Sequence, residues 1–198
     1  ALVGGENNII DSGSTHNALV GGELNSVSVK DSYSAIVGGY KNALGDKSDA
    51  SFIGGGLENI IVDGIVSVIG GGYKNEVNGG DWATIGGGSQ NDVTAKRSTV
   101  AGGHDNKASG SYSTVPGGRF NKANGKDSFA VGNSAQADND SAAVFSFRTP
   151  RTSTTDADPM CESVAENTVT MCTDAVHFLT DTVLIRDVNV GQSIADLE

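Results

Sequence analysis

The chain has 198 residues, a formal charge of −11, 28 glycines and only 6 % aromatic residues. So few large side chains exclude a wide globular core and call for a thin one built from Val, Ile, Leu and Ala. The acidic balance disfavours nucleic acid and anionic membranes as partners, since both are polyanions, and no apolar stretch is long enough for a membrane-spanning helix.

Residues 1–147 repeat one phrase: a β-rich triplet, two glycines, two variable residues and an asparagine. Ser67-Val68-Ile69-Gly70-Gly71-Gly72-Tyr73-Lys74-Asn75 is a clear copy. The asparagine recurs at Asn8, Asn25, Asn42, Asn59, Asn75, Asn91, Asn106 and Asn121, in steps of 17, 17, 17, 16, 16, 15 and 15 residues. A sustained period of this kind marks a repeat architecture.

Each repeat opens on a strand-like triplet, from Ala18-Leu19-Val20 and Ala35-Ile36-Val37 through Ser51-Phe52-Ile53 to Ser113-Thr114-Val115. Its first and last residues lie two apart and share the inward face, while the middle residue points away. The glycines follow, where the backbone bends or another segment approaches closely. After the asparagine come an apolar or small residue and a second turn, such as Gly79-Gly80. A unit of two short strands and two turns buries too little to fold alone, but a stack of units buries a continuous core, as in a parallel β-solenoid. The shortening steps place the extra residues in surface loops. Pro116 stands where other copies have Gly70 or Gly86, so that turn is expected not to need its amide donor. The recurring amide is read as a ladder, each asparagine bonding backbone or the asparagine of the next coil. The functional alternative is a row of amides that binds a glycan or an ion.

Near the end of the array Asp127-Ser128-Phe129-Ala130-Val131-Gly132, with Ala137 beyond, loses the double glycine. This stretch resembles the head repeats of YadA-like trimeric autotransporter adhesins, whose motif is close to Asn-Ser-Val-Ala-Ile-Gly-x-x-x-x-Ala. The earlier coils look like the related double-glycine repeats of surface and phage-like fibres. The resemblance implies a left-handed parallel β-roll of about nine 14–17-residue coils, with three rolls side by side in a homotrimer. It also gives the glycines a second purpose: Gly71, Gly87, Gly103 and Gly118 would let chains approach along a shared axis.

Composition changes at Arg148. Residues 148–160 are polar, contain Pro150 and Pro159 and read as a linker or loop. Residues 161–190 read as a small β-rich segment, with strands near Thr168-Val169-Thr170-Met171, Ala175-Val176-His177-Phe178-Leu179 and Thr182-Val183-Leu184-Ile185-Arg186. Cys161 and Cys172 fit either a local disulfide or two free thiols; the disulfide is the expectation, and it implies an oxidising setting. Residues 191–198 read as the start of a coiled coil, with Ile194 and Leu197 three apart.

No motif for catalysis, metal or cofactor emerges. His16, His104 and His177 are isolated, Asp156 and Asp158 read as solvated charge, and the glycine runs lack the lysine and the following helix of a phosphate loop. The expected function is a non-enzymatic structural or adhesive rod of an extracellular filament or a cell or virion surface. Its expected partners are further copies of itself, also end to end, and a surface glycan or matrix protein, with no insertion of this segment in a membrane. Two alternatives remain. An ice-binding solenoid would use Thr84, Thr99 and Thr114, which occupy equivalent positions, and a polysaccharide-acting solenoid would need acids stacked in a groove.

Overall fold

The computed structural model describes residues 1–28, 32–147 and 161–173. Over these residues the chain is an all-β solenoid of parallel strands. One sheet has 12 strands and receives the triplets, from Leu2–Val3 to Val169–Cys172. The other has 10 strands and receives the segments after the asparagines, from Ile9–Ile10 to Cys161–Glu162. Strands inside each stack pair with their equivalents one coil before and one coil after, as Thr84 does with Val68 and Thr99. A third column of single bridges runs between the sheets, linking Tyr40, Leu57, Tyr73, Ser89, His104 and Arg119.

Alternation along the strands makes the core. Ile36, Ile53, Ile69, Ile85, Val100 and Val115 point inward from the first sheet and are fully buried. Val27, Leu44, Ile61, Val77 and Val93 answer them from the second. Burying such a side chain stabilises by about 1.5–3 kcal/mol, and the stack makes the contribution continuous. The later coils present Ala108, Ala123 and Ala137 instead, so the core thins as the repeat shortens.

The shortening has one location. From each inward Ser, Asn or Ala at the head of a triplet to the next asparagine is 8 residues, from Asn17–Asn25 through Ser113–Asn121. From each asparagine to the next such residue the count falls from 9 at Asn42–Ser51 to 7 at Asn106–Ser113. A buried residue three before the triplet head is kept in long and short turns alike, as Ser48, Gly64 and Gly110. The residues that the short turns lack, Asp46 and Lys47 in one coil and Asp63 in the next, are exposed, as expected of surface loops.

Two of the triplets also sit one residue away from their expected register. Leu19 and Ile36 are fully buried, whereas Val20 is 44 % and Val37 48 % exposed. The early copies have two glycines after the triplet, and the later ones have a third residue before them, Gly54, Gly70, Gly86, Ala101 or Pro116. Leu19 pairs with Ile36 and Ile36 with Ile53, so Val20 and Val37 occupy the outward place of Gly54 and not the inward place of Ile53. Pro116 likewise departs from expectation. Gly86 and Ala101, at the same position, donate their amides to Val100 and Val115 of the next coil at 2.9 Å each. Proline has no such hydrogen, so one rung is missing there.

The roll does not stop at residue 147. Val169–Cys172 pairs with Ala143–Ser146 on the first sheet, and Cys161–Glu162 pairs with Ala135 and Gln136 on the second. Residues 161–173 therefore extend the stack and do not form a separate meander. Residues 148–160, expected as a linker, fall in sequence between the two strands of one coil. The other expected strands, His177, Asp156, Asp158, Ile194 and Leu197 lie outside the described residues.

Both turns of each coil require a left-handed residue. One column of them precedes the asparagines (Lys41, Glu58, Lys74, Gln90, Asp105) and the other precedes the triplets (Tyr33, Val66, Trp82, Arg97, Tyr112). This conformation costs an L-residue about 1–2 kcal/mol, and β-branched Val66 at φ 57° tolerates it least.

Neighbouring glycines separate two demands. An added Cβ at Gly103 would stand 2.1 Å from the Gly118 carbonyl oxygen and 2.7 Å from Asn106 Nδ2, whereas at Gly102 its nearest neighbour is the Gly87 oxygen at 3.8 Å. Gly103 is also at φ 98°. Gly103→Ala is therefore expected to destabilise the roll by about 3 kcal/mol or more, and Gly102→Ala by less than about 1 kcal/mol. Urea unfolding of the two variants compares them directly; equal losses would refute the assignment.

Candidate functional site

The most organised polar array in the molecule is the asparagine ladder. Asn25 to Asn121 are essentially buried. Asn75 Nδ2 donates to Asn59 Oδ1 at 3.1 Å, to Gly71 O at 2.9 Å and to Gly88 O at 3.0 Å. Asn75 Oδ1 accepts from the backbone N–H of Asn91 at 3.1 Å and from Asn91 Nδ2 at 3.0 Å. Two amide hydrogens thus serve three acceptors, and each amide ties its own coil to the coils on both sides. The same set repeats at Asn42, Asn59, Asn91 and Asn106. With its donors and acceptors consumed internally, the ladder offers a ligand nothing over these coils. Asn8, in the first coil, is only partly buried.

The four glycines grouped by sequence fall into two columns. Gly71 and Gly87 stand four residues before their asparagines, in line with Gly102 and Gly117; Gly103 and Gly118 stand three before, in line with Gly72 and Gly88. In the second column the group that excludes a side chain is the next coil of the same chain: Gly72 would meet Gly88 O at 2.1 Å, Gly88 would meet Gly103 O at 2.2 Å. In the first column the space outside is open, with nothing closer than 3.6 Å to an added Cβ at Gly71 or 3.8 Å at Gly87.

The disulfide between Cys161 and Cys172 continues this pattern. Asn121 is followed in its column by Ala135, whose N–H bonds Asn121 Oδ1 at 3.0 Å, and Ala135 pairs with Cys161. Gly118 is followed by Gly132, Ser146 and Cys172. In the upper coils an asparagine amide bonds the glycine carbonyl of the next coil; in the last described coils a covalent bond joins the same two columns. The sequence showed the cysteine pair, but not that it sits at the end of the ladder.

A second ladder runs through the small residue that heads each triplet, for which alternation predicts only an inward face. Ser34, Ser51, Ser67 and Ser98 donate their hydroxyls to turn carbonyls one coil on, at 2.6–2.8 Å. Ser34, Ser51 and Ser67 also accept the backbone N–H one coil on, at 3.0–3.1 Å. Its signal was available: a serine or an equally small residue 8 before nearly every asparagine.

The outer surfaces differ by face. From Ala18 to Val169 and from Val20 to Met171, the two outward columns of the first sheet contain no charged residue. Thr84, Thr99 and Thr114 are in register within it, between Val68 and Phe129. On the other side, a groove of about 640 Å³ runs along the roll. Glu58, Lys74, Gln90 and Asp105 of the left-handed column form one wall, Ile60, Glu76 and Asp92 of the second sheet the other, and Asn75 and Asn91 contribute to the lining between them. Lys74 pairs with Glu58 at 3.5 Å and lies over the Tyr73 ring, and Tyr73 first, then Glu58, holds its ammonium above the ordinary lysine range. Asp92 pairs with Lys107 at 2.5 Å.

At the second turn the guanidinium of Arg97 lies between the rings of Trp82 and Tyr112, 4.9 and 5.4 Å from their centroids. His16 stacks on Tyr33, and His104 Nδ1 meets Ser89 Oγ at 2.8 Å. Among the described residues no group of three or more His, Cys, Asp or Glu side chains is placed to hold a metal ion. Asp81 accepts from the backbone N–H of Ile65 and pairs with Lys96 at 2.9 Å. Lys96, more than that N–H, holds its carboxyl below the usual range.

The sequence matches no known protein-family model and no curated protein.

Asn75→Ala removes donors to three acceptors and leaves Asn91 without its amide partner, so a loss of about 3–5 kcal/mol is expected at one or more unsatisfied buried groups. Asn8→Ala removes the same two bonds from Asn25, but at the partly exposed first coil where water reaches the freed groups, so it is expected to cost less, about 1–2 kcal/mol; similar urea midpoints for the two variants would contradict the ladder. Asp81 gives a pH dependence. Its folded pKa is depressed, so its contribution is complete above the unfolded carboxylate range, about 4, and is lost as pH falls through the folded value. Asp81→Asn should lower stability at pH 7 and flatten the decline below pH ~4. Parallel stability curves for the two proteins across that range would show that the pair contributes nothing.

Proposed function

We propose that the chain is a non-enzymatic structural and adhesive rod in which three copies pack side by side through the first sheet. The observation that carries this reading is the absence of charge from that face. Its two outward columns hold Ala, Val, Thr, Gly, Phe, Pro and Met alone, and Val20, Val37, Phe52, Val169 and Met171 are each more than a third exposed. Large uncharged surface of this kind is characteristic of a face covered by another chain. The open glycine column beside it supports close approach of a second backbone. Eleven strands in line make the face roughly 48 Å long at about 4.8 Å per strand spacing, so the rod's length scales with the number of repeats. Three parallel copies would present every surface three times, which suits multivalent attachment. The disulfide fits an oxidising, extracellular setting. The in-register threonines favour an ice-binding face over three coils, but Val68 and Phe129 bound the row.

Light scattering on the purified chain tests the assembly. Three times the chain mass of 20.1 kDa is expected, and Thr99→Lys, in the middle of the uncharged face, should release monomers while Lys122→Glu on the other sheet should not. A monomeric wild-type chain at micromolar concentration would end the trimer reading.

A further inference from the structure

We infer that the groove between the left-handed column and the second sheet binds a linear, uncharged, hydroxyl-rich glycan. The inference rests on the adhesive part of the proposed function and names the ligand class and its site.

Shape sets the first limit. The groove is lined from Lys41 to Asp105, across five coils, and has a volume of about 640 Å³. It spans about four spacings of 4.8 Å, so a ligand that fills it is an extended chain lying along the roll.

Hydrogen bonding sets the second. An extended peptide is commonly held by adding a strand to a free sheet edge. No such edge faces this groove. The backbone N–H groups of Glu58, Lys74 and Gln90 donate to the preceding coil at 2.8–2.9 Å, and those of Glu76 and Asp92 donate to the following coil at 2.8 Å. The asparagines between the walls are committed to the ladder. Recognition is therefore left to wall side chains alone.

Charge sets the third. Four carboxylates, Glu58, Glu76, Asp92 and Asp105, face two ammonium groups, Lys41 and Lys74, and Asp92 is also paired with Lys107, which leaves one acid in excess. The excess of acid repels nucleic acid and sulfated or uronic chains. What remains on the walls is a mixture of acceptors (the carboxylates) and donors (the ammoniums), with Gln90 serving as both. A chain of hydroxyls, each a donor and an acceptor, matches such a mixture at every coil without contributing charge of its own. The walls repeat at the coil spacing, so successive sugar rings would meet successive coils, and short oligosaccharides would bind more weakly than long ones.

The test is calorimetric titration of the whole chain with cellohexaose, mannohexaose and xylohexaose, followed by amide chemical-shift mapping. At least one hexasaccharide should bind with millimolar affinity or better, with shifts confined to the coils of Asn42 to Asn106. Gln90→Ala and Asp105→Ala, both at exposed positions, should each weaken binding about tenfold, and Lys126→Ala outside the groove should leave it unchanged. No binding by any of the three sugars, or binding that ignores Gln90 and Asp105, overturns the proposal. So does tighter binding of hexalysine through the same residues, which would make the groove a polycation site. A monomer that binds the sugar removes the trimer and keeps the groove; a trimer that does not bind removes the groove and keeps the trimer.

Discussion

The contact on which this structure depends is the amide of the recurring asparagine. A solenoid coil of two short strands has little apolar surface, and parallel pairing alone does not say which coil edge meets which. The Asn Nδ2 group resolves this by bonding a carbonyl of its own coil, a carbonyl of the next and the amide oxygen of the one before. Because the group is buried, an out-of-register neighbour would leave donors and acceptors unpaired in a place where each costs about 1–3 kcal/mol. Register is therefore enforced by polar groups, while the isoleucines and valines inside supply the driving force. The serine ladder does the same work at the opposite corner of the coil.

The glycines are a consequence of that ladder. For Asn91 Nδ2 to reach both Gly87 O and Gly103 O, the backbone of one coil must lie directly on that of the next at the Gly88 position, leaving no room for a side chain. Where the ladder ends at Asn121, glycine is still needed at Gly132, but two coils later the same columns are joined by Cys161 and Cys172. A covalent link holds two columns together without the full set of amide partners, and it does so where the core has thinned to alanine and few large apolar side chains remain.

With the interior committed to register, the surfaces are free to differ, and they do. The two outward triplet columns of one sheet are bare of charge from Ala18 to Met171. The opposite groove mixes acids, ammoniums and an amide. The second turn stacks Trp82, Arg97 and Tyr112 along the axis. Variation at these positions leaves the ladder untouched, which is why a rod of this kind can carry binding chemistry on residues that appear irregular in sequence.

The period, the all-β solenoid, the inward face of the later triplets and the internal role of the asparagine were legible in the sequence, because each follows from local alternation and from a residue type recurring at a constant step. The cysteine pairing was legible as one of two choices. Three things required the tertiary structure. Val20 and Val37 look equivalent to Ile53 when copies are aligned on the first glycine, and only the pairing of Leu19, Ile36 and Ile53 shows that the asparagine keeps the register. Gly71 and Gly103 look alike, yet one faces open space and the other a carbonyl of the following coil. Cys161 to Cys172 looked like a separate segment because nothing near them repeats the phrase, although their backbone continues both sheets. The common reason is that a strand's own alternation tells which side chains share a face, whereas the partner that each backbone group meets one coil away is a property of the stack.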